Sequence, residues 1–169
     1  VLKNIPLSFV LILLFVSACD STKKTENNYV QYVNPLIGTD FTGNTYPGAQ
    51  VPFGMVQLSP DNGLPGWDRI AGYFYPDSTI AGFSHTHLSG TGAGDLYDVS
   101  FMPVTLPYRE APQPLGIYSS FSHDDESVSA GYYQVLLKDY GIHVELTATE
   151  RCGIQPVSYT HLTLPTNRE

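Results

Sequence analysis

YYQVLLKDYGIHVELTAT, residues Tyr132 to Thr149, holds two strand-like runs joined around Asp139-Tyr140-Gly141. In the second run Ile142, Val144, Leu146 and Ala148 face one way, while His143, Glu145, Thr147 and Thr149 face the other. A period of two marks a half-buried antiparallel strand, with one side on a core and one in water. His143 therefore reads as a surface residue. No stretch of the chain keeps a long helical period. Its 15 Gly and 13 Pro suit a turn-rich β domain better than a helical one. The fold class expected is mainly β, an antiparallel β-sandwich.

Towards the N-terminus the same logic marks Gly54–Leu58 (GMVQL), Thr79–Ser84 and Asp98–Pro103 as strands. Ser59–Trp67 (SPDNGLPGW) reads as a loop of turn-forming residues. Tyr29–Gly54 is broken up by Pro35, Gly38, Gly43, Pro47, Gly48 and Pro52, which predicts short strand pieces and loops. Asp124-Asp125-Glu126 reads as a solvated turn. The 169 residues suit one domain or a piece of a larger one, and no internal repeat is present.

The two ends read differently from the middle. Residues 1–19 have the pattern of a lipoprotein-type signal peptide: Lys3, then an apolar run from Ile5 to Val16, then Ser17-Ala18-Cys19. Such a run is shorter than the roughly 20 apolar residues of a membrane-spanning helix. Cys19 sits where a bacterial lipoprotein is lipidated, which predicts an exported lipoprotein of the periplasm, outer membrane or cell surface. Residues 20–28 have no apolar content and read as a polar tether. Residues 29–155 form the expected sandwich domain. From Pro156 the chain reads PVSYTHLTLPTNRE and loses the preceding pattern. It resembles translated adapter sequence at the ends of reading frames assembled from environmental DNA, so 156–169 is expected to be a non-native tail.

Charge narrows the partners. Between Tyr29 and Gln155 four bases (Arg69, Arg109, Lys138, Arg151) face thirteen acids. Such a surface repels a polyanion and excludes nucleic acid as a partner.

The chemistry concentrates in GWDRIAGYFYPDSTIAGFSHTHLSGTGAGDLYD, Gly66 to Asp98. Aromatic faces stack on sugar C–H surfaces, and carboxylates and imidazoles take hydroxyls. Trp67 beside Asp68 pairs a ring face with an acceptor. His85 and His87 are two apart, so on a strand both imidazoles point to one side, where they suit a sugar, a structural role or a metal. Gly90, Gly92 and Gly94 form a GTGAG turn. No Gly-Lys-Ser/Thr follows, so it is not a phosphate loop, and a tight backbone turn lining a pocket accounts for it better. Asp95 and Asp98 read as turn or capping carboxylates, and Asp40 and Asp61 as structural. Arg69, among so many acids, is expected to pair with one of them.

YVNPLIGT (Tyr32–Thr39), YPGAQVPFGMVQLSPD (Tyr46–Asp61), GWD (Gly66–Asp68), AGYFY (Ala71–Tyr75) and GFSHTHLSGTGAGD (Gly82–Asp95) together resemble the amino-terminal domain of glycoside hydrolase family 92. The resemblance runs from about Tyr29 to Gly153. It implies an exo-α-mannosidase that needs calcium and inverts the anomeric centre. It also implies a β-sandwich followed by an (α/α)6 barrel, with the active site between them. The catalytic acid and base would come from the barrel, so none is expected in this chain. The chain then reads as a fragment ending within the sandwich, inactive by itself, its partners the missing barrel, mannose-containing glycans and a membrane reached through the lipid anchor. Its share of the pocket would be one wall: Trp67, Asp68, Arg69, His85, His87, Gly90 and Gly92. Calcium ligands are not assigned. Many members have a second Trp where this chain has Arg69, and a guanidinium there would suit another linkage or a phosphorylated mannoside. The alternative is a non-catalytic carbohydrate-binding β-sandwich lipoprotein.

Overall fold

The computed structural model describes residues 28–159 except 91, 93, 109 and 113. The signal segment with Cys19, and residues 160–169 of the tail, lie outside the described residues. The elements in chain order are β1 (Ser59–Asp61), β2 (Thr79–Ile80), β3 (Gly82–Ser84), β4 (Glu110–Ala111), β5 (Gly116–Ile117), β6 (Ser119–Ser120), β7 (Glu126–Ser129), β8 (Tyr132–Leu137), β9 (Ile142–Ala148), β10 (Gly153–Ile154) and β11 (Val157–Tyr159). Three single 3₁₀ turns, at Tyr29–Tyr32, Trp67–Arg69 and His123–Asp125, are the only helical pieces among the described residues.

The hairpin of Tyr132–Thr149 forms the centre of the main antiparallel sheet, ordered β10-β9-β8-β7, with β11 also on β9. Its register pairs Tyr133 with Leu146, Val135 with Val144 and Leu137 with Ile142. These six are the buried members of the alternation. They pack against Ala49, Leu58, Tyr73, Ile80, Phe83 and Phe121 from the shorter strands and loops opposite. Those segments carry the pairs β1–β3 and β2–β6. Burying each large side chain in this contact contributes about 1.5–3 kcal/mol. The outward residues of the hairpin pair with each other: the Tyr132 hydroxyl donates to Glu145 at 2.6 Å.

Four local expectations change. Gly54–Leu58 is not a strand, because its backbone bonds scatter: Met55 N–H goes to Glu150, Gln57 N–H to His85 and Leu58 N–H to Ala49. The strand begins at Ser59. Thr79–Ser84 is broken at Ala81, whose N–H turns to the Asp61 carbonyl. Of Asp98–Pro103 only Phe101 bridges, to Phe83. Glu126 is not solvated: its side chain is 2% exposed, accepts from the Tyr73 and Tyr133 hydroxyls and has His123 Nδ1 2.7 Å from Oε2. The tail expected to be foreign from Pro156 enters the sheet through β11, which pairs Val157–Tyr159 with Val144–Ile142 while staying exposed.

Candidate functional site

The segment between β1 and β2 is built around a buried amide. Asn62, fully buried, donates to the Thr79 carbonyl at 2.7 Å and accepts from Phe74 N–H at 2.5 Å. Its own N–H reaches the Gly72 carbonyl. These bonds pin both ends of a loop that would otherwise cost ordering entropy. The loop, Gly63 to Gly72, forms one side of a cleft of about 650 Å³. Trp67, Ile70, Asp61 and Tyr97 line it together with Gly92 and Gly94.

Trp67 is 61% exposed, so it is not a core residue. The 3₁₀ turn that carries it is closed by Arg69 N–H on the Gly66 carbonyl. An exposed ring on a short turn that lines a cleft can stack on the apolar face of a ligand. Arg69 lines the same cleft, but its guanidinium is held bidentately by Asp77 and lies 4.8 Å from the centroid of the Phe74 ring. This is the pairing expected for it, and it leaves little free positive charge.

The two histidines separate. β3 ends at Ser84, so the period-two face does not extend to them. His85 Nδ1 lies 2.9 Å from the Val99 carbonyl, and its ring borders a second hollow with Phe101, Met102 and Gly153. His87 turns inward and is buried between the rings of Tyr46 and Tyr97. Its Nδ1 lies 2.7 Å from the Gln57 carbonyl and its Nε2 2.7 Å from Oδ1 of Asp61. The Gln57 carbonyl and the Asp61 carboxylate both accept, so the two contacts are hydrogen bonds together when both ring nitrogens carry a hydrogen. His87 thus reaches the cleft only through Asp61.

Of the residues singled out in sequence, Trp67, Arg69 and Gly92 meet in the cleft, and Asp68, His85, His87 and Gly90 do not line it. Gly90 instead donates its N–H to the Asn44 carbonyl. Asp95 and Asp98 behave as turn carboxylates, accepting from Leu96 N–H and from the Thr86 hydroxyl. Asp61, read as structural, pairs with His87 and also lines the cleft. The signal was present, since Asp61 ends the matched run YPGAQVPFGMVQLSPD. Tyr97 was missed. Its ring lines the cleft and its hydroxyl donates to the Ile70 carbonyl. Burial pushes the Tyr97 pKa up, and the nearby Asp61 and Asp95 carboxylates add to the rise.

Calcium seeks six to eight oxygen ligands. Among the described residues no group of three or more His, Cys, Asp or Glu converges as a metal site.

Known proteins resemble this chain along most of its length. The chain is 46% identical to the family GH92 α-mannosidase BT3965 of Bacteroides thetaiotaomicron, solved with mannoimidazole, with a TM-score of 0.72 over 77% of this chain and 18% of that one. The inverting mannosidase BT2199 of the same organism is 32% identical, with a TM-score of 0.60 over 78% of this chain and 18% of that one. An uncharacterized secreted glycosidase of Arthroderma benhamiae is 30% identical over 146 residues, which is 80% of this chain and 18% of the relative. The chain thus spans less than a fifth of the length of these relatives. Residues 32–166 match the glycosyl hydrolase family 92 N-terminal domain, and the chain belongs to that family.

Proposed function

We propose that this chain supplies the β-built wall of the substrate pocket in an exported, inverting exo-α-mannosidase acting on mannose-containing glycans. The observation that carries the reading is the cleft itself: an exposed Trp67, the sole tryptophan, beside the Asp61 carboxylate in the domain that the family match identifies. A ring for the sugar's apolar face and a carboxylate for its hydroxyls are the two elements saccharide recognition needs. The acid and base of an inverting hydrolysis, roughly 6.5–9.5 Å apart, belong in this reading to the helical barrel expected elsewhere in the protein. Most of the groups around the calcium belong in this reading to the same barrel. Export rests on the signal-like N-terminus, and anchoring on Cys19.

The test is to express the protein from its whole reading frame and assay it on α-linked mannosides, neutral and phosphorylated. Release of mannose with inversion, seen by NMR of the first-formed anomer, is expected, and Trp67→Ala is expected to raise KM. Because Asp77 already clasps Arg69, phosphorylated mannosides should gain no more than about threefold in kcat/KM, the scale of an exposed ion pair. Absence of mannoside hydrolysis, or retention at the anomeric carbon, overturns the reading.

A further inference from the structure

Among the described residues, Asp61 and Arg69 are the only charged ones lining the cleft, and Arg69 is committed to Asp77. The Asp61 side chain is 14% exposed, and its two oxygens are in different situations. Oδ1 is held at 2.7 Å by His87 Nε2, with the Ser84 hydroxyl also on that nitrogen at 3.1 Å. Oδ2 accepts no hydrogen bond among the described residues. A carboxylate oxygen without a protein donor is left to take one from water or a ligand. The support behind Asp61 is itself fixed, because the fully buried His87 imidazole is anchored at its far side by the Gln57 carbonyl. Gly72 packs closely on the held oxygen: a methyl group there would sit 2.4 Å from Oδ1 and 3.2 Å from the His87 ring.

We propose that Asp61 is the residue of this cleft that accepts a sugar hydroxyl, through Oδ2, and that His87 is the positioning residue that aims it. The ligand class is a pyranoside whose ring face rests on Trp67 while one hydroxyl donates to Asp61. The proposal rests on the saccharide reading of the cleft. His87 on this account acts on the sugar without touching it.

The experiment uses the protein expressed from its whole reading frame, with α-1,2-linked mannobiose as probe and separate determination of kcat and KM. Asp61→Asn removes the charge from the acceptor, and KM is expected to rise about 10- to 100-fold, the scale of a hydrogen bond to an ionised group. His87→Gln, which still offers an N–H to Oδ1, is expected to stay within about threefold of wild type in KM. His87→Phe, which fills the space without a donor, is expected to approach Asp61→Asn. A purely structural His87 would instead lower the folded fraction and so kcat in both variants, with KM unmoved. If Asp61→Asn does not fold, the two His87 variants carry the test. Equal KM values for them, or a wild-type KM for a folded Asp61→Asn, overturn the proposal. Trp67→Ala separates the two levels: a raised KM there with a normal Asp61→Asn sinks only the role of Asp61, whereas no effect of either sinks the saccharide reading as well.

Discussion

Glu126 lies at the start of β7, directly opposite Val135, and its carboxylate is almost wholly inside the sandwich. Two hydroxyls donate to it, and an imidazole nitrogen lies against it. The Tyr133 hydroxyl is 2.7 Å from Oε1, the Tyr73 hydroxyl 2.9 Å, and His123 Nδ1 is 2.7 Å from Oε2. His123 also stacks on Tyr75, 3.9 Å between centroids, and its Nε2 lies 2.7 Å from the Tyr75 carbonyl. Each hydrogen bond to an ionised group contributes about 1.5–3 kcal/mol, so the two from Tyr73 and Tyr133 would give several kcal/mol in gross terms. Most of that offsets the cost of taking the carboxylate out of water. Removing the carboxylate does not recover the cost, because the donors stay buried. Glu126→Ala should therefore destabilise the domain by about 3–5 kcal/mol. Glu126→Gln keeps the shape and loses the charge, and should cost about 1–3 kcal/mol. Tyr133→Phe removes one donor and should cost about 1 kcal/mol. Hydrogen exchange of the β8 and β9 amides reads these values, each 1.4 kcal/mol being a tenfold faster exchange through global opening. A Glu126→Ala protein whose β8 amides exchange within threefold of wild type would refute the reasoning, as would a Glu126→Gln protein less stable than Glu126→Ala.

The same cluster predicts alkaline weakness. Burial first, and the Glu126 carboxylate second, push the pKa values of Tyr73 and Tyr133 well above the ordinary tyrosine value near 10. The native state keeps those protons where the unfolded chain loses them, so the stability they contribute is complete below pH about 10 and falls above it. The thermal midpoint should drop steeply above that pH and less so in Tyr73→Phe; parallel profiles would contradict the linkage. Gly72→Ala places its methyl group 2.4 Å from Asp61 Oδ1 at a φ of +88° that an L side chain rarely adopts. It should cost more than about 1 kcal/mol of stability and raise KM as Asp61 is displaced. A wild-type midpoint and KM would show that the cleft tolerates the collision.

The hairpin was legible because its information is local. Alternation over Tyr132–Leu137 and Ile142–Ala148 specifies both strand and face, and the turn between them is short. Gly54–Leu58 misled because its apolar residues suit a strand, yet its backbone partners lie far along the chain at Glu150 and His85. No window of sequence contains those partners. The H-x-H motif misled for a related reason: period two holds only while the strand lasts, and β3 stops one residue before His85. Glu126 misled because three consecutive acids read as a solvated run, while its partners Tyr73 and Tyr133 come from other parts of the chain.

The cleft divides along the same line. Trp67 was readable as a candidate for the cleft because the neighbouring Gly66 and Asp68 mark an exposed turn. Asp61 was not, because its surroundings depend on three distant pieces of chain: β3 beside it in the sheet, His87 behind it and Gly72 packed on it. Local composition reported which residue types could bind a sugar, and long-range pairing decided which of them reach the cleft. His85 and His87, identical in type and two residues apart, make the point directly. One backs the cleft through a carboxylate and the other borders a different hollow, and the difference lies wholly in where β3 ends.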